Sequence, residues 1–221
     1  MPPTFDREQE LHQEGFPFVA GVDEAGRGPL AGPVVAGAAV LPRDFALAYG
    51  DQLNDSKQLT AKKREELCEV IQKNAAWGLG VVSHLEIDEM NIRRASWEAM
   101  RRAILDCIAR FPTQTPAYIL VDGLPVRDME WPWRYEAIIK GDTRSLSIAA
   151  ASIVAKVSRD AFMVQMDEEF PGYGFAQHKG YPTRAHYMAL RRLGACAIHR
   201  RTFAPVRAEI VRQSFTPHSD E

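Results

Sequence analysis

The sequence predicts an α/β fold, a mixed sheet sandwiched by helices, and three observations carry that reading. Short apolar runs of strand length alternate with longer stretches of helical spacing. The chain opens with two strand-like runs joined by a Gly- and Pro-rich loop, so the sheet starts as a hairpin and continues through helical crossovers. With 221 residues, 46% apolar and 25% charged, there is enough chain for one domain with a real core.

Phe16 to Val22 is the first strand and ends at Asp23; Val34 to Leu41 is the second. Glu24 to Pro33 between them must be loop. Thr60 is a good N-cap for a helix whose Leu67, Val70 and Ile71 fall at helical spacing, and Trp77 to Val82 reads as the third strand. Asn91 to Arg110 is the longest clean amphipathic helix, with Ala95, Ala99, Ala103 and Cys107 at steps of four, closed by Pro112 and Pro116. Ala117 to Val121 is a fourth strand stopped by Asp122-Gly123, and Tyr135 to Ile139 a fifth stopped by Lys140-Gly141. A small-residue helix runs from about Arg144 to Glu169, and another covers Thr183 to Leu193 with Gly194 as its C-cap. The Pro171–Gly180 loop is the one plausible boundary, giving a sheet domain over 15–170, a helical extension over 171–213 and a mobile tail over 214–221.

Carboxylates fall where such a fold builds sites. Asp23 and Glu24 follow the first strand, Asp122 follows the fourth, and Asp142 lies between the fifth strand and a helix, and ligands gather at strand ends of α/β sheets. Each acid has a plainer use as a turn residue, or for Asp142 as a helix cap. Together they favour a metal site, because acids ending three apolar strands are costly to bury unless a cation compensates. Oxygen donors without Cys or His at ligand spacing suit Mg²⁺ or Mn²⁺ rather than zinc. In the loop Gly26-Arg27-Gly28, glycines allow close backbone approach and Arg27 can reach a phosphate, although the Gly-Lys-Ser/Thr ending of a nucleotide P-loop is missing.

The formal net charge is −2, yet no Asp or Glu occurs between Pro171 and Arg207, where Lys179, Arg184, Arg191, Arg192, Arg200, Arg201 and Arg207 cluster. That excess suits a polyphosphate partner, and a solvated basic face is the plain alternative. Asn54, Ser56 and Lys57 form a polar loop able to donate to phosphate, or simply a surface turn. Lys156 and Arg159 on the long helix carry the same split. No secretory signal or membrane-length run is present, and Cys68, Cys107 and Cys196 read as reduced thiols, which together predict a cytoplasmic protein.

Several blocks in fixed order resemble the ribonuclease HII family: GVDEAGRGPLAGPVVAGAAVLP from Gly21, LNDSKQL from Leu53, VDG from Val121, KGD from Lys140 followed by SIAAASIVAKVSRD, HKGYPT from His178 and HRRTFAPV from His199. The resemblance implies a ribonuclease H-like fold, a five-stranded mixed sheet with flanking helices and a C-terminal helical extension. It implies an endonuclease that hydrolyses the RNA strand of RNA–DNA hybrids and nicks duplex DNA 5′ to an embedded ribonucleotide. Asp23, Glu24, Asp122 and Asp142 would hold two Mg²⁺ or Mn²⁺ ions in the presence of substrate. Gly26, Arg27 and Gly28 would contact the 2′-hydroxyl at the junction, and Tyr181 would pack on the neighbouring deoxyribose. Asn54, Ser56, Lys57 and Lys179, by the chemistry of their donors, are expected as further substrate contacts. A monomer is implied as well. The rival from another class is a non-catalytic nucleic-acid-binding protein on a nuclease fold, which the presence of all four acids disfavours.

Overall fold

The computed structural model describes residues 2–54, 56–126 and 129–214. Most of the tail expected from residue 214 onward therefore lies outside the described residues. Five strands, β1 (Val19–Ala25), β2 (Val34–Val40), β3 (Ala76–Val82), β4 (Tyr118–Asp122) and β5 (Arg134–Ile138), form one sheet in the order β3-β2-β1-β4-β5. β1–β2 and β2–β3 pair antiparallel, whereas β1–β4 and β4–β5 pair parallel. The mixed sheet is as expected, with strand bounds differing by no more than three residues.

The helices are α1 (Asp6–Gln13), α2 (Arg43–Tyr49), α3 (Ala61–Asn74), α4 (His84–Met90), α5 (Ile92–Arg110), α6 (Leu146–Glu169), α7 (Phe175–His178), α8 (Arg184–Leu193) and α9 (Ala204–Ser214). α5 covers one face of the sheet, packing Ala95, Ala99, Ala103 and Cys107 on Ala20, Val22, Ala36 and Ala38. α6 covers the other. Both helices come close because glycine faces them. A Cβ on Gly21 would lie 2.2 Å from the α6 backbone, and one on Gly80 would lie 1.9 Å from the Ala99 carbonyl oxygen of α5.

The N-terminal segment, which reads as merely polar, forms α1, and its Glu8 is completely buried. The Glu8 carboxylate accepts from the Ser145 hydroxyl at 2.6 Å and the Ser147 amide at 2.9 Å, capping the start of α6, where negative charge is favoured. Among the described residues the three cysteines are free, and no helix is long and apolar enough to cross a membrane.

Candidate active site

Strand register brings two acids together. Val22 pairs with Val121 in the parallel β1–β4 ladder, so Asp23 and Asp122 occupy the next position on neighbouring strands and share the α6 face. Glu24, one residue on, points to the α5 face. A cavity of about 310 Å³ at these strand ends is lined by Glu24, Arg27, Trp97 and Asp122. Asp142 sits in a short 3₁₀ turn, Gly141–Thr143, beside this edge, and the adjoining Gly141 amide donates to Asp122 Oδ1 at 2.6 Å. Capping of α6 falls to Ser145, whose hydroxyl accepts from the Ile148 amide, so Asp142 is not needed for it.

These acids are short of positive charge. Asp23 and Asp142 are buried, at 5% and 7% exposure. Burial pushes the Asp23 carboxyl well above the usual range, and the charges of Glu24 and Asp122 push it further; a hydrogen bond from Ser152 and one from the Glu24 amide oppose them. Glu24 is raised to about 7, first by burial, with Arg27 pulling it back and Asp122 adding to the rise. The nearby cations are Arg27, 3.1 Å from Glu24 Oε1, and Lys57, 4.0 Å from Asp142 Oδ2; both side chains are largely exposed. Among the described residues no three His, Cys, Asp or Glu side chains converge on one point. The donor chemistry nonetheless fits a hard divalent cation: the donors are oxygens only, Asp23 and Asp142 are buried, and Asp23, Glu24 and Asp122 repel one another.

The loop expected to contact phosphate divides. Ser56 is buried, at 3% exposure, and its hydroxyl lies 2.8 Å from the Ser152 hydroxyl, which in turn bonds Asp23. Its side chain therefore supports the Asp23 carboxylate instead of facing a substrate. Asn54 is spent partly on Gln58, at 3.4 Å, and Lys57 stands exposed beside Asp142. Ser152 was not legible in the sequence; nothing distinguishes it within a small-residue helix.

A second group forms around Gly26–Gly28. Arg200, expected as part of a basic surface, is completely buried, and so is Arg159. Arg200 donates to the carbonyls of Gly32 (2.9 Å), Arg27 (3.1 Å), Gly26 (2.6 Å) and Pro33 (3.1 Å). Arg159 donates to Pro33 (3.0 Å), Ala31 (3.2 Å) and Lys179 (3.1 Å), tying this loop to the Lys179–Tyr181 turn. Burial lowers their pKa to about 9 and about 10, since carbonyls rather than carboxylates meet them. Phosphate contact is thus excluded for these two side chains as placed. Gly26 has φ +100°, and a Cβ there would lie 2.0 Å from Arg159 Nε. Gly28 is open, with Tyr181 Cε1 3.6 Å from where its Cβ would be. The Tyr181 ring is 39% exposed, with Lys156 Nζ 5.9 Å from its centre. Lys179 Nζ turns back to the Ala176 carbonyl instead of outward.

Comparison with known proteins places this arrangement. The family model described as Ribonuclease HII matches residues 20–206. A relative named Ribonuclease HII from Polynucleobacter necessarius is 54% identical over 86% of this chain and 94% of its own. Among solved structures, the ribonuclease H2 of Pyrococcus horikoshii superposes with a TM-score of 0.71 at 29% identity, covering 90% of this chain and 100% of that one. Bst-RNase HIII in complex with Mn²⁺ shares the fold, with a TM-score of 0.68 at 19% identity over 88% of this chain and 70% of that one.

Proposed function

The chain belongs to the ribonuclease HII family and is a ribonuclease H, and from that premise we propose how its residues divide the work. It cuts the RNA strand of RNA–DNA hybrids and nicks duplex DNA on the 5′ side of an embedded ribonucleotide. Asp23, Glu24, Asp122 and Asp142 would hold two Mg²⁺ or Mn²⁺ ions, a reading in keeping with the Mn²⁺ bound by the Bst-RNase HIII neighbour. When bound, such ions supply Lewis-acid charge at the scissile phosphate and make water a better nucleophile. The observation that carries this is the under-neutralised carboxylate group at the ends of β1 and β4, with Asp142 beside it.

The chain's own contributions are orientation and discrimination. Ser152, backed by Ser56, aims the Asp23 carboxylate. Arg27, at the rim of the cavity, can exchange Glu24 for a substrate phosphate, because its side chain is 58% exposed. Gly28 and the exposed Tyr181 ring lie side by side, Tyr181 Cε1 standing 3.6 Å from where a Gly28 Cβ would be, and together would offer an edge against which a sugar can rest, where the 2′-hydroxyl tells RNA from DNA. The 171–213 extension supplies Tyr181 and the exposed arginines of α8 for the duplex backbone.

The test is direct. Incubated with Mg²⁺ or Mn²⁺ and duplex DNA holding one ribonucleotide, the protein should leave a nick at its 5′ side with 3′-hydroxyl and 5′-phosphate ends. Binding without a cut under either metal would return the protein to the non-catalytic class.

A further inference from the structure

Behind Tyr181 lies a group of buried rings that the reaction itself does not use. His186 and His199 are completely buried; their Nε2 atoms lie 3.1 Å apart. The remaining partners fix every proton. The Cys196 amide donates to His199 Nδ1 at 3.0 Å, so that nitrogen carries no proton, and the Cys196 thiol, also 3.0 Å away and kept protonated by burial, can only donate to it as well. The Tyr181 carbonyl lies 3.0 Å from His186 Nδ1 and can only accept, so that nitrogen must carry one. Between neutral rings, the single consistent arrangement is His199 Nε2–H donating to His186 Nε2.

His178 is fixed in the same way. The Gly180 amide donates to its Nδ1 at 3.2 Å, and its Nε2–H donates to the Tyr173 carbonyl at 2.8 Å. Its ring stacks on His186, with centroids 4.4 Å apart. The Leu30 amide holds the Gly180 carbonyl at 2.8 Å, and Arg159 holds that of Lys179. Tyr181 therefore has its main chain tied through His186 to one side and through Gly180 and Lys179 to the Gly26–Pro33 loop on the other.

We propose that His186 is a positioning residue for Tyr181, the last link of a directional relay that runs from the Cys196 amide through His199 to the Tyr181 carbonyl. Protonating His186 or His199 would set two N–H groups against each other and break the relay. The surroundings oppose that. His186 faces His178 from α7 and His199 from the loop after α8; His199 also feels His84 of α4 and adjoins the buried Arg200, itself beside Arg159 of α6. The nearby acid, Asp88, is engaged by the Arg201 and Thr202 amides. Burial and these neighbours hold both rings down to about 4, so the relay stays intact across the neutral range.

The inference rests on the reading of Tyr181 as the junction contact, and its test separates the two. Cleavage of a duplex with one ribonucleotide is compared with cleavage of a continuous RNA–DNA hybrid for Tyr181→Ala, His186→Leu and His186→Asn, the last keeping an amide donor near the Nδ1 position. His186→Leu should lower the single-ribonucleotide rate about tenfold relative to the hybrid, the effect of losing one of the two hydrogen bonds on the Tyr181 carbonyl, the Thr183 amide keeping the other at 2.8 Å. His186→Asn should recover most of it. If Tyr181→Ala shows no such preference, the junction reading fails. If Tyr181→Ala shows it and His186→Leu does not, the relay fails alone. Long-range ¹H–¹⁵N spectra of the unaltered protein at pH 7 decide the matter even where a variant does not fold. They should show protons on His199 Nε2 and His186 Nδ1; the opposite tautomers, or a charged ring, overturn the proposal.

Discussion

Two neighbouring regions of this protein treat charge in opposite ways. At the ends of β1 and β4, carboxylates are buried with too little positive charge near them, and burial and repulsion raise the pKa of Asp23 and Glu24. Around Gly26–Pro33, two buried guanidinium groups have their donors met by backbone carbonyls, with an ordered set of neutral histidines behind them. The first region sets like charges against one another, whereas the second has its donors met from within. Catalysis is assigned to the part that the fold leaves electrostatically unsettled, and discrimination to the part built rigid beforehand.

The largest effect should come from the unsettled region and should appear in activity alone. Asp23→Asn or Asp142→Asn is expected to lower kcat about a hundred- to a thousandfold with Mg²⁺. Because Asp23→Asn removes one of several repelling charges, that variant should melt at the same temperature as the parent or higher when metal-free. A marked fall in Tm for Asp23→Asn would show that the acids hold the fold together, and the contrast between the regions would collapse.

The settled region should respond the other way. Arg200→Met leaves up to four buried carbonyls without their donor, at a cost of about 3 kcal/mol or more. Arg200→Lys keeps the charge but not the planar fork, so it should recover only part of the loss. Gly26→Ala belongs with these, since its Cβ would strike Arg159 at a backbone angle that disfavours side chains. Thermal melts read all three, and an Arg200→Met protein as stable as the parent would mean that the clamp is idle.

A smaller effect should appear as pH is varied. Glu24 titrates near 7 in the folded chain against an ordinary value of 4.5, so the folded state binds the proton more tightly. The stability contributed by that proton is full below about pH 4.5 and is lost as pH rises through about 7. Metal-free protein should therefore lose stability between pH 5 and 7, and Mg²⁺, which binds the deprotonated acids, should restore it. Glu24→Gln should flatten this slope, and an unchanged slope in that variant would assign the titration elsewhere.

The sequence made the sheet and the strand-end acids legible because both follow local rules, namely apolar runs of strand length and the tendency of α/β sheets to gather ligands at their strand ends. Glu8, Arg159 and Arg200 escaped because a charged residue in a polar stretch looks the same whether it is solvated or folded inward. Only the tertiary fold brings carbonyls 167 to 174 residues away onto Arg200. Ser56 misled for a related reason: a hydroxyl in a polar loop can serve a phosphate or, as here, a buried partner on another element. The relay of His186 and His199 was hidden too, since a proton's direction along it depends on contacts that spacing does not encode.

The finest division between the two regions runs through Gly28. Its Cβ would meet Tyr181 at 3.6 Å, an ordinary contact, and its backbone requires no left-handed angle. Gly28→Ala should therefore leave the unfolding free energy within about 0.5 kcal/mol of the parent, unlike Gly26→Ala two residues earlier. Yet the added methyl would stand on the Tyr181 side of the loop, where the sugar is proposed to lie, and should lower cleavage at a single ribonucleotide roughly tenfold by displacing it. On a continuous hybrid, where other sugars can be engaged, the loss should be smaller. Equal losses on both substrates would make Gly28 a general backbone contact, and loss of stability would move it into the clamp; selective loss alone places it opposite Tyr181 as the second wall of the junction site.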